Sequence, residues 1–325
     1  MAWAVKGLSS RGRPTGRLLA PLVLAAAAWC AAPAAARNAV ILNSDDDSVS
    51  IIDTASYKEV SRSYIGRAPH HLMLTPDGQR LIVAVAGGNQ LIFIERASGQ
   101  VVQRLEASDP YQIGFSPDAK WLVATSLRLD RIDIYDGKDY RLVHRLPARR
   151  TPSHIGFSPD SSTAYVTLQG SNSLMAIDLA SGKQVWNAPV GPQPAGVQVR
   201  PSGTVLVGIM GSDHIVEVDP KDGKVLRRIQ TGRGAHNFLL SRDGKVLYVT
   251  NRVAGSIAAL DAETLTVTAV MAAPGGPDDM AWSPDGEELW VTGRWRASVN
   301  VIDRAAGTLK ATIPVGRSPH GIFVW

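Results

Sequence analysis

The chain has 325 residues, a single cysteine and a formal net charge of +5 at neutral pH. Lys6, Arg11, Arg13 and Arg17 supply four of the positive charges, so the chain after residue 36 has a net charge of only +1. A charge so close to zero excludes attraction to nucleic acid through a strongly basic surface. One cysteine excludes a disulfide framework within the chain.

The first 36 residues have the charge and hydropathy order of a secretory signal peptide. Basic residues precede an apolar run over 18–28, and small residues lead up to Ala36. We therefore expect cleavage after Ala36 and a periplasmic or secreted mature protein. The alternative is a retained membrane anchor, but Pro21 and Pro33 make this segment a poor span. Cleavage removes Cys30 and leaves no membrane contact.

The rest of the chain is a sevenfold repeat. An apolar or aromatic residue followed by an acid recurs every 41 or 42 residues, as Ile52-Asp53, Ile94-Glu95, Tyr135-Asp136, Ile177-Asp178, Val218-Asp219, Leu260-Asp261 and Ile302-Asp303. A turn such as Pro76-Asp77-Gly78 also recurs between apolar runs, which predicts hairpins. The recurrent acids are best explained by hydrogen bonding in turns.

One unit contains four short β-rich segments, over 71–75, 80–86, 90–95 and 100–106. Four antiparallel strands make one blade, and a period near forty residues is typical of a propeller. The sequence therefore predicts an all-β, seven-bladed β-propeller over 37–325, as one domain after the signal peptide over 1–36. No segment has a convincing helical period.

The two ends of the repeat are complementary. Residues 320–325 form an inner strand without partners, whereas 38–64 supply three strands without an inner one. We expect the three amino-terminal strands and the carboxy-terminal strand to build the seventh blade together. This closure pairs the ends by backbone hydrogen bonds and removes a free sheet edge.

The second strands carry a family signature. Tyr248-Val249-Thr250-Asn251 has near-copies at Tyr165-Val166-Thr167 and Trp290-Val291-Thr292. The chain resembles the YVTN-repeat propellers, and the likeness covers everything after the signal peptide. The resemblance implies the architecture rather than one function, because related propellers include the haem-binding domain of dihaem nitrite reductases, lactonase-like enzymes and exported proteins without an assigned activity.

The repeats diverge where each inner strand begins. The residue pairs at this place are His70-His71, Tyr111-Gln112, Ser153-His154, Ala195-Gly196, His236-Asn237, Asp278-Asp279 and His320-Gly321. The resemblance implies glycine at the second position, which only two blades keep. Five of the seven histidines in the chain fall in these pairs. We therefore predict a ligand site at the channel mouth that includes Asp278 and Asp279.

Imidazole binds transition metals and can be an axial ligand of haem. The predicted metal ligands are His154, His236 and His320. Consecutive strand residues point to opposite faces, so we expect only one of His70 and His71 to join them. For any single histidine, the alternative is a solvated side chain on a polar rim.

The loops between second and third strands should reach the same rim. Arg252 and the run Arg294-Trp295-Arg296 suit a planar anion such as a carboxylate or propionate, with loop solubility as the alternative. The run over 45–47 is acidic. It indicates solvation or a turn, with only weak potential for calcium.

These observations favour a periplasmic binding or scaffold propeller that holds a metal, a tetrapyrrole, a small anion or a protein partner, and that is a monomer. The alternative is an enzyme, either a lactonase-like hydrolase using a metal or a pair such as His236 with Asp278, or a haem-dependent redox protein. The sequence lacks a Cys-x-x-Cys-His motif, which excludes covalent haem attachment of that kind. A third possibility is an envelope-interaction module in which the histidine cluster is incidental.

Overall fold

The computed structural model describes residues 38–96 and 100–325, so the predicted signal peptide and its cleavage site lie outside the described residues. This part of the chain forms seven four-stranded sheets. Every pair of hydrogen-bonded strands in these sheets is antiparallel, as the hairpin turns predict. In the described ranges, no helix has the length and apolar character needed to cross a membrane.

The strands are, in chain order, β1 (Asn38–Asn43), β2 (Ser48–Asp53), β3 (Lys58–Tyr64), β4 (Pro69–Leu74), β5 (Arg80–Val85), β6 (Gln90–Glu95), β7 (Val101–Glu106), β8 (Pro110–Phe115), β9 (Trp121–Ser126), β10 (Arg131–Asp136), β11 (Leu142–Pro147), β12 (Pro152–Phe157), β13 (Thr163–Leu168), β14 (Ser173–Asp178), β15 (Lys183–Pro189), β16 (Pro194–Val199), β17 (Val205–Ile209), β18 (His214–Val218), β19 (Val225–Gln230), β20 (Ala235–Leu240), β21 (Val246–Asn251), β22 (Ser256–Asp261), β23 (Val267–Ala272), β24 (Pro277–Trp282), β25 (Glu288–Gly293), β26 (Ser298–Asp303), β27 (Thr308–Pro314) and β28 (Pro319–Val324). Three single-turn 3-10 helices occupy equivalent loops between second and third strands, over Ser44–Asp46, Gln169–Ser171 and Arg294–Arg296.

Blades 1 to 6 each consist of four consecutive strands, beginning with β4 to β7. Blade 7 has the order β28-β1-β2-β3, so the predicted ring closure is confirmed. The Asn38 amide donates to the Trp325 carbonyl at 3.2 Å, and the Trp325 amide donates to the Asn38 carbonyl at 3.0 Å. The inner strand of blade 1 begins at Pro69, two residues before the predicted start.

The hydrophobic core is divided among the blade interfaces. Seven clusters of buried side chains each combine residues of two neighbouring blades. Between blades 7 and 1, Val40 and Leu42 pack with Leu81 and Val83, all of them fully buried or nearly so. Burial of each such side chain contributes roughly 1.5–3 kcal/mol to the free energy of unfolding. The ring is held together by this packing all the way round.

The recurrent acids are structural, as expected. The Asp53 carboxylate accepts the Ser56 amide at 2.7 Å, and Asp178 accepts the Ser181 amide at 2.8 Å in the equivalent turn. In the hairpin between first and second strands, the Thr75 hydroxyl donates to Asp77 at 2.6 Å. The turn chemistry therefore explains these acids without any role in binding.

Candidate functional site

Each inner strand carries an irregularity at its entry. In blade 1 the pairing of β4 with β5 shifts register between Pro69 and Leu72, and the other inner strands shift at the equivalent place. A bulge of this kind re-aims the side chains within it. The residue pairs that the sequence analysis singled out lie inside these bulges.

The expectation that only one of His70 and His71 joins the cluster is wrong. The ring centroids of His70 and His71 lie 3.7 and 4.5 Å from that of His320. Strict alternation holds for a regular strand, but the bulge between Pro69 and Leu72 breaks it. Both imidazoles therefore enter the cluster.

Threonines from the second strands hold these bulges. The Thr292 hydroxyl accepts the Asp279 amide at 3.0 Å and donates to the His320 carbonyl of the next blade at 2.9 Å. Thr125, Thr167 and Thr250 make the equivalent pair of bonds in their own blades. The threonine of the repeat signature thus fixes the residue pair of its own blade to that of its neighbour.

Three rings from consecutive blades lie in close, tilted contact. His70 lies between His320 and Tyr111, with centroid distances of 3.7 and 3.9 Å. Tyr111 was not among the site residues predicted from the sequence. Its position was nevertheless informative, because it is the blade 2 counterpart of His70.

The remaining two histidines extend the cluster across the channel. His154 lies 5.6 Å from His71 and 5.0 Å from His236 between ring centroids, in edge-to-face arrangements. The Ser153 hydroxyl is 2.7 Å from Nδ1 of His154 and also accepts from the Gln169 amide at 2.8 Å. Ser153 is a second contributor that the sequence analysis left out.

The cluster is buried, in contrast to the solvated rim that was considered for single histidines. His154 and His320 are 0 % exposed, and His70, the most exposed of the five, reaches 7 %. Burial lowers the pKa of His154 to about 4 and the pKa of the other four well below the ordinary value. All five imidazoles are therefore neutral near pH 7, so each ring has one nitrogen that carries a lone pair.

Each of the five rings has one buried nitrogen without a hydrogen-bond partner within the described part of the chain: Nδ1 of His70 and His236, and Nε2 of His71, His154 and His320. Among residues 38–96 and 100–325, His70, His71 and His320 form the group whose ligand atoms all lie within 4.8 Å of one another. Of the predicted metal ligands, only His320 belongs to this group. His154 and His236 stand beside it.

Asp278 is the charged centre of the site. One carboxylate oxygen, Oδ1, lies 3.1 Å from Nδ1 of His236, although the two atoms are not aligned for a hydrogen bond. The other, Oδ2, accepts from Arg252, lies 3.3 Å from Nη1 of Arg294 and is 3.5 Å from Nε2 of His320. Burial alone would raise the pKa of Asp278, but the guanidinium charges of Arg252 and Arg294, with the hydrogen bond from Arg252, lower it below the ordinary range. Asp278 is therefore a carboxylate near neutral pH.

Asp279 has the opposite character. It accepts from the Asn237 side chain at 2.9 Å, and its other oxygen lies 4.0 Å from Nδ1 of His71. Burial, with a smaller contribution from the Asp278 charge, raises the pKa of Asp279 to about 7. The two adjacent acids thus differ in charge near neutral pH.

The basic loops divide into two groups. Arg252 and Arg294 reach Asp278 with side chains that are 14 % and 25 % exposed. Trp295 and Arg296 remain exposed on the 3-10 turn, although the Trp295 ring covers Gly276 closely enough that a Cβ there would lie 2.5 Å from it. The acidic run over 45–47 is used locally, since Asp46 accepts the Arg317 amide and Asp47 the Ala68 amide.

Comparison with known proteins identifies related sequences and folds. The chain matches the family model described as YNCE-like beta-propeller over residues 13–325. Antigen Lp49 of Leptospira interrogans is 23% identical over 202 residues, which cover 54% of this chain and 44% of the relative. The chain spans less than half the length of the first curated relatives that it matches.

Solved structures share the fold at low sequence identity. The periplasmic gluconolactonase PpgL of Pseudomonas aeruginosa is 18% identical, with a TM-score of 0.72, covering 89% of this chain and 98% of the other. Dihydro-haem d1 dehydrogenase NirN, in complex with DHE, is 16% identical, with a TM-score of 0.66, covering 89% and 75%. At these identities the likeness is one of fold alone.

Proposed function

The chain belongs to the YNCE-like beta-propeller family, and from this premise we propose that it is an exported binding propeller that holds one divalent transition metal ion in its channel. The ligands are His70, His71 and His320. One observation carries the proposal: three buried imidazoles from blades 1 and 7 bring ligand atoms within 4.8 Å of one another. Hydrophobic packing alone gives no reason for three unpaired ring nitrogens at one point.

The donor set favours zinc or copper. Neutral imidazole is a borderline ligand that suits zinc, copper, nickel and iron, whereas calcium and magnesium prefer oxygen. Three imidazoles leave a fourth position open, an arrangement typical of zinc sites that bind a further ligand. Nδ1 of His71 faces the Asp279 carboxyl, and a carboxylate behind a ligating imidazole fixes its tautomer.

A tetrapyrrole suits the cluster less well. NirN is named for haem d1, but the rings of His320, His70 and Tyr111 lie at centroid distances of 3.7 and 3.9 Å. These are contact distances, so a macrocycle cannot enter between the rings. Haem would have to lie outside the cluster, towards Arg252 and Arg294, and the metal proposal does not need it.

A hydrolase of lactones is a second candidate, since a protein of the same fold is named a gluconolactonase. The specific observation is the contact of 3.1 Å between His236 and Asp278, because a carboxylate beside an imidazole can orient a general base. Against it, the same carboxylate is shared with Arg252 and Arg294. Hydrolysis of gluconolactone by the purified protein, lost in His236→Gln, would favour this candidate.

Export rests on the order of charge and hydropathy in the first 36 residues, with cleavage after Ala36. The similarity to a protein named as periplasmic adds support. Mass spectrometry of protein recovered from the periplasm tests it, because a mature chain beginning at residue 37 is expected. An intact Met1 on membrane-bound protein would replace this proposal with anchoring.

Metal binding is tested by titrating zinc and copper(II) into mature protein that has been stripped with chelator. We expect one tightly bound ion per chain, and a loss of at least 100-fold in affinity in His71→Gln and in His320→Gln, above the roughly 10- to 100-fold effect typical of outer-shell partners. His214→Gln is the matched control, since His214 pairs with Asp213 on the third strand of blade 4. Equal affinity in all four proteins would overturn the proposal.

A further inference from the structure

We propose that the metal-loaded channel also binds a small carboxylate or inorganic oxyanion, held by Arg252 and Arg294 next to the ion. This inference rests on the proposed function, because it names the second ligand of the same site. It is carried by two features of the site: unused hydrogen-bond donors and an excess of positive charge.

Arg252 is poorly satisfied by its surroundings. Its Nη2 donates to Asp278, but Nη1 has only the thioether sulfur of Met210, a weak acceptor, at 3.2 Å. Its Nε is buried without a partner. A guanidinium group offers five donors in a planar fork, and buried donors that lack acceptors are costly. An oxyanion supplies acceptors of the matching geometry.

The balance of charge also requires an anion. Arg252 and Arg294 share a single carboxylate, that of Asp278, so one positive charge is left over before any metal enters. A divalent ion on three neutral imidazoles adds two more. Ionisation of Asp279 offsets only one of them, so the loaded site remains cationic in either protonation state. Uncompensated charge in a buried site is strongly unfavourable.

The size of the ligand follows from exposure. The two arginine side chains are only 14 % and 25 % exposed, so most of each is covered by protein. Side chains that are covered to this extent favour a ligand as small as a carboxylate or a phosphate. A polyanion could touch only the outer residues, such as Arg296 and Trp295.

Calorimetric titration of acetate and of inorganic phosphate into zinc-loaded protein tests the inference. We expect saturable binding of at least one of these anions, weakened about tenfold or more in Arg294→Gln, the loss expected for a charged hydrogen bond. Arg294→Lys keeps the charge without the fork and should recover only part of it. Arg296→Gln is the control on the same turn, and its binding should be unchanged.

Zinc affinity should rise in the presence of the bound anion by the same factor as anion affinity rises with zinc. In Arg294→Gln, zinc should still bind, because Arg294 is not one of the proposed metal ligands. Zinc binding without any anion binding would overturn the inference and leave the proposed function intact. If zinc fails to bind, the same anion titrations on apo-protein test the inference, because the surplus donors are present without metal. Anion binding that is lost in Arg294→Gln would then support the inference. Absence of anion binding would overturn it.

Discussion

Nδ1 of His320 lies 3.1 Å from the carbonyl oxygen of His70. A carbonyl oxygen only accepts, so Nδ1 carries the ring hydrogen and the lone pair is on Nε2. That lone pair faces Oδ2 of Asp278 at 3.5 Å, which is also an acceptor. Burial and the neighbouring positive groups lower the pKa of His320, so a proton on the ring does not relieve the contact. A metal cation near Nε2 would relieve this contact between two acceptors.

Asp279 should strengthen metal binding through His71, which it faces at 4.0 Å. We expect Asp279→Asn to lower zinc affinity about 10- to 100-fold, the usual effect of losing a carboxylate behind a ligating imidazole. Competition with a chromophoric chelator measures this affinity. Asp139→Asn is the control, since Asp139 is an exposed turn acid that pairs with Arg141. Affinity equal to wild type would show that His71 is oriented without Asp279.

The apo-protein should lose stability in mild acid. Folding lowers the pKa of His154 to about 4, so between about pH 6.5 and 4 the unfolded chain binds the proton more tightly than the folded one. Stability is therefore complete above pH 6.5 and falls as the pH falls, by up to about 1.4 kcal/mol per pH unit for each such histidine. The free energy of unfolding, measured in urea at several pH values across this range, should depend less steeply on pH in His154→Gln than in the parent protein. An unchanged slope would contradict the burial of this ring as a neutral group.

Asp279 affects the pH dependence of stability in the opposite direction. Its pKa is raised to about 7, so the folded chain binds this proton more tightly and stability falls as the pH rises from about 4 to 7. The uncharged Asp279→Asn variant should lack this contribution. Its stability should therefore increase more steeply with pH than that of the parent protein over this interval, and parallel curves would be inconsistent with the raised pKa.

The threonine that links blades 6 and 7 should matter for stability. Thr292→Val removes the bonds to the Asp279 amide and the His320 carbonyl and leaves both groups buried. We expect a loss of about 1–3 kcal/mol in the free energy of unfolding. Thr268→Val is the control, because its hydroxyl bonds the Ala259 carbonyl at an exposed position where water can replace it. Losses of equal size in the two variants would argue against a special role for the interblade bond.

Removal of residues 320–325 should abolish cooperative unfolding, because it leaves β1 unpaired on its inner side. Deletion of Trp325 alone is the milder control, since Ile322, Phe323 and Val324 still pair with β1. Calorimetry distinguishes the two variants. A six-residue deletion that melts like the full chain would show that blade 7 is stable without its inner strand.

The fold could be predicted from the sequence because each blade of the propeller corresponds to one copy of a sequence repeat. Seven copies of an apolar-acidic pair define seven blades, six copies of a turn mark their first hairpins, and the unmatched segments at 38–64 and 320–325 define the closure. These features are local and periodic. They need no knowledge of how side chains pack.

The site could be predicted only in part. Its place followed from the offset within the repeat at which histidines gather, but the ligand set did not. The bulge at Pro69 to Leu72 turns His70 and His71 to the same cluster, and a regular strand period cannot anticipate that. The sharing of Asp278 among His236, Arg252 and Arg294 depends on contacts between blades. No sequence spacing encodes those distances.

The position of β1 between β28 and β2 has a consequence for folding kinetics. The strand that completes blade 7 lies almost the whole length of the propeller away from its partner in sequence. Contacts of such high sequence separation make folding slow. Until β28 pairs with it, the unpaired inner edge of β1 is a template for aggregation. Synthesis from the amino terminus delivers β28 last, so the ring closes only after the whole propeller has been made.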